Sequence, residues 1–420
     1  MHGFISVPKN LLLDLIQTPE VQRLRRIRQL GLGHLVFPGA EHTRFGHALG
    51  AMALMQDTLS NLSEKGTPVS AEEQTAAMAA ALLHDIGHAP FSHTLEHAFF
   101  SDFHHEDMSR VLIGDVNDRF DGALDLAIRI FDGTYERRFF HQLVSSQLDM
   151  DRLDYLRRDS FYTGVVEGTV GVERIIKTLR VNPMDGGAES EVVVEAKGVY
   201  AVENYLISRR LMYWQVYLHK TVLAADQLVR SIFRRARTLL ERGHAEVEAL
   251  ASPELMFFLH HRFNRDDIQR RDVRDAFVRL DDTDVVYSIK CWQQISDAVL
   301  ADLSRRFANR DFFRVTFLPT PPDDATLTEL IARTSNWIRD EGMDREDGDV
   351  ASLYTGLSNT SHSAYEHLED SILMMDREDR VRELSQMSDT ATISALTHFV
   401  EKPYVFAPKE VELPEEMQTS

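Results

Sequence analysis

The sequence predicts a mainly α protein: a helical bundle with a short β-hairpin insertion and a smaller α+β C-terminal region. Three observations carry that expectation. Hydrophobic residues make up 43% of the 420 positions, with only 21 Gly and 13 Pro, which fits an ordered globular chain. Helix start and stop signals bracket most of the first 245 residues. Strand-like β-branched runs are few, short and confined to the chain beyond residue 177.

Taken in order, Thr18 followed by Pro19 reads as an N-cap with proline at the first helical position, and Gly31 as the stop. Arg23, Arg25, Arg26 and Arg28 then read as a solvated face of that helix. A second helix is expected from Arg44 to Lys65, ending at Gly66. Ser70-Ala71-Glu72-Glu73 is a capping box opening the next helix, whose apolar run Met78–Leu83 delivers His84 and Asp85. Further helices are expected from His105-Glu106 onward and from Gln147 to Arg158. Thr178–Val181 and Glu191–Glu195, separated by Asn182-Pro183 and Gly186-Gly187, predict a β-hairpin within 177–198. Two long helices follow between Val202 and Glu241. The acidic stretch 319–352 opens with Pro319-Thr320-Pro321-Pro322 and reads as a flexible connection. Short strands are expected at Arg314–Leu318, Ile372–Met375 and Tyr404–Ala407, and disorder after Pro408. The resulting division is residues 1–245 as the core with the site, and 246–420 as an acidic oligomerisation or regulatory region.

The net charge is −20. Residues 321–420 hold 22 Asp/Glu against 8 Lys/Arg, or −14, so the excess belongs to the C-terminal part. Such a surface disfavours nucleic acid as the main partner. No stretch approaches the length of a membrane helix and no signal-peptide pattern is present, so a cytoplasmic protein without membrane contact is expected. Cys291 is the single cysteine, which excludes an internal disulfide or a thiolate cluster. Any metal must be held by His and carboxylate.

The chemistry concentrates in His84-Asp85-Ile86-Gly87-His88-Ala89-Pro90-Phe91-Ser92-His93. An imidazole and a carboxylate at the mouth of a buried helix are costly unless paired or bound to a metal. That ligand set suits Mn²⁺, Fe²⁺, Zn²⁺ or Mg²⁺. Two further segments accompany it, Glu41–Gly50 around His47 and Leu148–Asp159 around Asp151. The order His … His-Asp … Asp resembles the HD phosphohydrolase superfamily. Together with Gln22–Leu30, Val36–Gly50 and Tyr217-Leu218-His219-Lys220, it is similar to the dNTP triphosphohydrolases within that superfamily. The likeness runs from His2-Gly3 to about Lys220.

The resemblance implies an HD-domain bundle with His47, His84, Asp85 and Asp151 as ligands of Mn, Fe or Mg. Two imidazoles and two carboxylates balance a divalent charge, and four protein ligands on an octahedral ion leave two positions open. It further implies that His93 and His105 serve the α-phosphate, one of them as general acid on the leaving 5′ oxygen. Glu96, three residues after His93, is placed to orient it, and Glu106 to orient His105 or a nearby water. His88, Arg44, Arg152 and Arg209 are the remaining phosphate-side residues. Tyr155, Asp159, Gln29, Leu30 and Tyr217 are placed by the resemblance around sugar and base. The implied partners are a dNTP substrate, a nucleotide activator and further copies of the chain in a dimer, tetramer or hexamer. The activator segment is Leu15–Arg25, where Gln22 and Arg25 match but Gln17 replaces a guanine-reading aspartate. Two other readings stay open. One is a broader phosphohydrolase of nucleoside monophosphates, cyclic nucleotides or alarmones. The other is a catalytically silent nucleotide-binding regulator.

Overall fold

The computed structural model describes the chain except residues 93, 96–98, 103, 184–189, 344–349, 363–364, 366–370, 389–392, 394–395, 398–399 and 419–420, and the side chains of 101, 183, 361 and 362. The architecture is mainly α, with three small sheets among the described residues, the shortest pairing β1 (Phe100–Ser101) in parallel with β4 (Phe263–Asn264).

The bundle is built on α1 (Arg44–Glu64), α2 (Ala71–Leu83), α3 (His105–Arg119) and α4 (Met150–Thr163). The capping box at Ser70 and Glu73 forms as expected, each side chain bonding the other's backbone N–H. Every residue of α2 from Ala76 to Leu83 is buried, so this helix is the spine of the bundle. α1 packs against both α2 and α4. It stops where glycine was expected, with Gly66 at φ +92. α4 starts at Met150, with Asp149 as N-cap accepting from the Arg152 N–H, and ends at left-handed Gly164. The expected span from Gln147 is therefore shifted: the Asp149 carboxylate satisfies the first free N–H groups and fixes the start.

The helix expected from Pro19 to Gly31 is corrected to Pro19–Arg23 plus a 3₁₀ turn at Leu24–Arg26. Beyond it the backbone extends, with the Arg44 N–H donating to Ile27 O and the Gln29 N–H to His42 O. This ladder outcompetes helix continuation, and Gly31, at φ +49, opens a second 3₁₀ turn rather than closing a helix. Arg23 is not solvated. It is buried, donating to Leu280 O and stacked 4.5 Å from the Phe277 ring.

The expected hairpin forms from β2 (Leu179–Pro183) and β3 (Ser190–Glu195), paired Val181 to Val192. α5 (Val199–Met212) and α6 (Lys220–Glu241) follow. Between them Tyr213–Tyr217 makes a π-helical turn, in which the Leu218 N–H reaches Tyr213 O five residues back. α7 (Asp282–Trp292) opens at an Asp281–Asp284 capping box. β5 (Arg314–Phe317), β6 (Gly356–His362) and β9 (Val400–Ala407) form an antiparallel sheet with β9 central. β7 (Leu373–Met375) adds in parallel to β3, and β8 (Val381–Glu383) extends that sheet.

Two expectations for the C-terminal part are corrected. Residues 324–340, read as a flexible connection, form α8 (Asp324–Asp340), N-capped by Asp323 and burying Leu330, Thr334 and Ile338. The chain after Pro408 is ordered through Gln418, because Val411, Leu413 and Met417 bury against Leu318, Leu330, Val405 and Ala407. In both places a few spaced apolar residues outweigh an acidic average composition. A single hydrophobic core otherwise runs from Leu12 to Phe406.

Candidate metal and nucleotide site

Three helix ends converge on one point. His47 stands on the first turn of α1, His84 caps α2 with Asp85 following it, and Asp151 stands on the first turn of α4. His47 Nε2 lies 2.9 Å from Asp151 Oδ1 and 3.3 Å from His84 Nε2, and His84 Nε2 lies 3.4 Å from Asp151 Oδ1. Asp85 completes the group, with Oδ1 3.3 Å from His84 Nε2 and Oδ2 3.7 Å from His47 Nε2. Ligand atoms held about 2.1 Å from one ion at right angles are about 3 Å apart. This spacing suits a cation at the centre.

The far side of each ring settles which nitrogen faces inward. His47 Nδ1 donates to Asp154 Oδ2 at 2.8 Å, and His84 Nδ1 donates to Ala81 O at 2.8 Å. Both Nε2 lone pairs are left for the ion, the usual outer support of a histidine ligand. Asp154 is itself held by Arg158, at 2.8 and 3.0 Å, and by His2 Nε2 at 2.6 Å. Gly50 makes this possible: a Cβ there would sit 2.0 Å from Asp154 Oδ1 and 2.4 Å from an Arg158 nitrogen.

The turn after α2 is fixed just as tightly. The Gly87 N–H donates to Ser109 Oγ at 2.9 Å, while Ser109 Oγ donates to His84 O at 2.6 Å. A Cβ on Gly87 would meet His105 O at 2.2 Å, so only glycine lets α3 approach. Arg44 bonds Asp85 and also donates to Ser92 Oγ at 2.7 Å. His88 Nδ1 lies 3.2 Å from Asp85 Oδ1, and its ring lies 3.9 Å from that of His105. Asp85, His88 and His105 thus form a second compact group beside His47, His84 and Asp151, and Asp85 touches both.

Burial alone would push the His47 imidazole down, but its hydrogen bonds to Asp151 and Asp154 hold it up at about 10. His84 is likewise desolvated, yet Asp85 and Asp151 raise it to about 9. Burial works against the Asp85 charge, and His88, His84 and Arg44 overcome it, keeping this carboxyl well below its usual range. His88 goes the other way: burial and the Arg44 charge keep it neutral. The carboxylates are therefore charged and ready to bind a cation, which would take the place of the imidazole protons.

Residues 44–159 match the HD domain, and residues 170–279 match the HD associated region. The chain is 37% identical over 327 residues to YwfO of Bacillus subtilis, an alignment covering 76% of this chain and 71% of that protein. The crystal structure of a phosphohydrolase from Bacteroides thetaiotaomicron superposes with a TM-score of 0.89 at 42% identity, covering 96% of this chain and 97% of that one.

The chain belongs to the HD-domain phosphohydrolases. It is also 29% identical over 263 residues to the deoxynucleoside triphosphate triphosphohydrolase SAMHD1 homolog of Dictyostelium discoideum, covering 57% of this chain and 49% of that protein.

The other predicted residues of this HD phosphohydrolase fall in two sets. Tyr155 lies on α4 one turn beyond Asp151, its ring 6.5 Å from that of His47 and 6.2 Å from that of Tyr217. Tyr217 donates to Asp159 Oδ2 at 2.8 Å, and His42 donates to Asp159 Oδ1 at 2.7 Å. Arg152 bonds the Asp149 carboxylate, and Arg209 donates to Gln147 Oε1 at 3.0 Å. Leu30 packs against the core, and Gln29 Oε1 is buried without a hydrogen-bond partner among the described residues. Glu106 stands exposed on the first turn of α3. His93 and Glu96 lie outside the described residues.

Sequence reading missed Asp154, Arg158, His42, Ser92 and Ser109. Asp154 had a signal, three residues after Asp151 and four before Arg158, spacings that share a helix face. The serines had none, because their partners are distant in sequence.

Proposed function

We propose that the chain hydrolyses deoxynucleoside triphosphates to the deoxynucleoside and inorganic triphosphate. The observation that supports this most is the wall beside the ligand cluster made by Tyr155 and Asp159, on the same face of α4 as Asp151, and by Tyr217, which packs against both. A triphosphate held at the cluster would set its sugar against that wall. The likeness to the Dictyostelium enzyme supports the same substrate class.

His47, His84, Asp85 and Asp151 would hold a divalent ion, with Mn, Fe and Mg the expected choices, which would supply an acidified attacking water and a polarised phosphorus centre. The chain's own residues do the rest. Arg44 locks Asp85 in place while presenting its charge beside the cluster. Arg152 and Arg209 supply further cations on the groove beside Tyr155, whose hydroxyl burial holds in its neutral form. His105, which packs on neutral His88, would give a proton to the leaving 5′ oxygen, with His93 as the other donor the family resemblance implies. Tyr155 closes the space at C2′, so a ribose hydroxyl would be buried without a partner.

The activator segment is already engaged internally. Gln22 donates to Ile16 O at 2.7 Å, while Arg25 lies 3.6 Å over the Phe45 ring and donates to Gln22. A guanine nucleotide bound there would have to displace these contacts. Cytoplasmic residence and self-association belong to the same reading. Mass spectrometry of the products from each dNTP with Mn²⁺ in ¹⁸O-water tests it. Triphosphate carrying the label supports attack at the α-phosphorus. Deoxynucleoside diphosphate and orthophosphate as first products overturn it.

A further inference from the structure

Asp282 lies far from the ligands in sequence, yet its carboxylate ties together two segments that lead to them. It is the first residue of α7 and is buried. Oδ1 accepts the Phe91 N–H at 3.0 Å and Oδ2 accepts the Arg28 N–H at 2.9 Å. Each end of this clamp leads to the cluster. Arg28 pairs with Thr43 in a β-bridge, directly before α1 and His47. Phe91 precedes Ser92, whose hydroxyl accepts from Arg44 at 3.2 and 2.7 Å, and Arg44 bonds Asp85. The contacts close into a ring: Arg28, Thr43, Arg44, Ser92, Phe91, Asp282 and back to Arg28.

The ring has strain to restrain. Phe91 and Ser92 both sit at φ +52, a left-handed conformation that side chains other than glycine adopt reluctantly. Such a segment persists only where its surroundings hold it, and residues in this state gather at functional sites. The clamp itself is anchored from below, since Arg26 bonds Asp281 and Arg23 donates to Leu280 O. Burial raises the Asp282 carboxyl to about 6; the Arg28 and Phe91 N–H groups and the Arg28 charge oppose that rise, and Asp281 adds to it. The group is thus charged at neutral pH, with both oxygens accepting.

We propose that Asp282 is a positioning residue for hydrolysis: its carboxylate clamps Phe91 to Arg28 and so fixes the strained turn through which Ser92 and Arg44 hold Asp85. The proposal rests on the phosphohydrolase reading above, and its test has an arm that does not.

The discriminating variant is Asp282→Asn in the metal-loaded protein. The amide keeps the volume but turns a donor toward one of two N–H donors, so one clamp bond is lost. A misplacement of this kind remote from the reacting atoms lowers turnover by up to about a hundredfold. With dGTP, the expected result is a kcat lowered about tenfold to a hundredfold, KM within twofold, and bound manganese unchanged. Amide hydrogen exchange should accelerate in segments 27–29 and 88–92 alone. Asp284→Asn is the control, because it removes a cap of the same helix, where Asp284 accepts the Asp281 N–H and the Ser252 hydroxyl, without touching the ring. It should lower stability and leave kcat unchanged. If Asp282→Asn does not fold, Ser92→Ala opens the ring at its next link and should lower kcat at constant KM. Wild-type kcat in Asp282→Asn, or exchange spread evenly as in Asp284→Asn, overturns the clamp. If the wild type hydrolyses no dNTP, the substrate reading fails on its own, and the exchange pattern still decides the clamp.

Discussion

The two halves of the site are organised in opposite ways. At the ligand cluster both histidine Nδ1 atoms and Asp85 are bonded to protein, and the two Nε2 atoms and Asp151 Oδ1 point at one another. On the side of Tyr155 most polar groups pair with one another: Asp159 takes both His42 and Tyr217, Arg152 takes Asp149, and Arg209 takes Gln147, while Gln29 Oε1 has no partner among the described residues. The first half is pre-formed for its ligand, and the second must exchange partners to receive one. That difference separates where affinity is fixed in advance from where selectivity is decided on binding.

The strongest way to break the pre-formed half is Asp151→Ala. It deletes the carboxylate that touches both imidazoles, and a catalytic ion contributes several kcal/mol, so turnover should fall by at least about 10³-fold. Metal content by mass spectrometry should drop to background while the circular dichroism of the fold is retained. Activity with full metal content in this variant sinks the site.

Gly50→Ala attacks the support rather than a ligand. The added methyl displaces Asp154 and Arg158, at an overpacking cost of about 1–3 kcal/mol. Loss of outer support weakens metal binding about tenfold to a hundredfold. Titration with Mn²⁺ monitored by calorimetry reads this directly. An unchanged affinity would mean that Asp154 does not orient His47.

Tyr155→Ala probes the other half. Relief of a buried, unpaired hydroxyl worth about 1–3 kcal/mol should narrow the preference for dGTP over GTP by about tenfold to a hundredfold, with overall rate also reduced. Metal content should not change. If the wild type already hydrolyses both nucleotides equally, Tyr155 is a packing residue.

The smallest effect is on stability in alkali. Without a metal, His47 and His84 titrate near 10 and 9 in the folded chain, above the ordinary imidazole value of 6.5. A raised folded value means that the stabilisation is complete below about 6.5 and is lost as pH rises through 9 to 10. Metal-free protein should therefore melt progressively lower between pH 7 and pH 10. Metal-loaded protein, whose rings are already deprotonated, should not show that loss, and calorimetric scans across this range compare the two.

Much of this was legible in the sequence because it is local. The capping box at Ser70, the stop at Gly66, the hairpin within 177–198 and the adjacency of His84 and Asp85 are all short-range patterns, although Asn182 and Pro183, expected between the strands, belong to β2. What escaped depends on partners far along the chain. The extended Ile27–Gln29 segment is set by His42–Arg44, and Arg23 is buried because residues 277–282 cover it. The ordered end after Pro408 obeys the same rule, since Val411, Leu413 and Met417 are too sparse to signal a core until Leu330 and Val405 are placed beside them. Composition averaged over the acidic region hid α8 in the same way.

The wide turn at Tyr213–Tyr217 governs how this helix tolerates changes in length. Each helical residue advances the side-chain direction by about 100°. The extra residue accommodated there is an angular offset between α5 on one side of the turn and the chain leading into α6 on the other. It lets Arg209 face Gln147 from one side and Tyr217 face Asp159 from the other. Trp214 lies inside the offset, with Lys402 of β9 3.8 Å over its ring, so the C-terminal sheet reads the same phase. Deleting one residue from this turn would rotate the chain that follows it and swing Tyr217 away from Asp159, while His47, His84, Asp85 and Asp151 stayed where they are. A single-codon deletion would then dismantle the Tyr155–Tyr217–Asp159 wall without altering a residue of the ligand cluster.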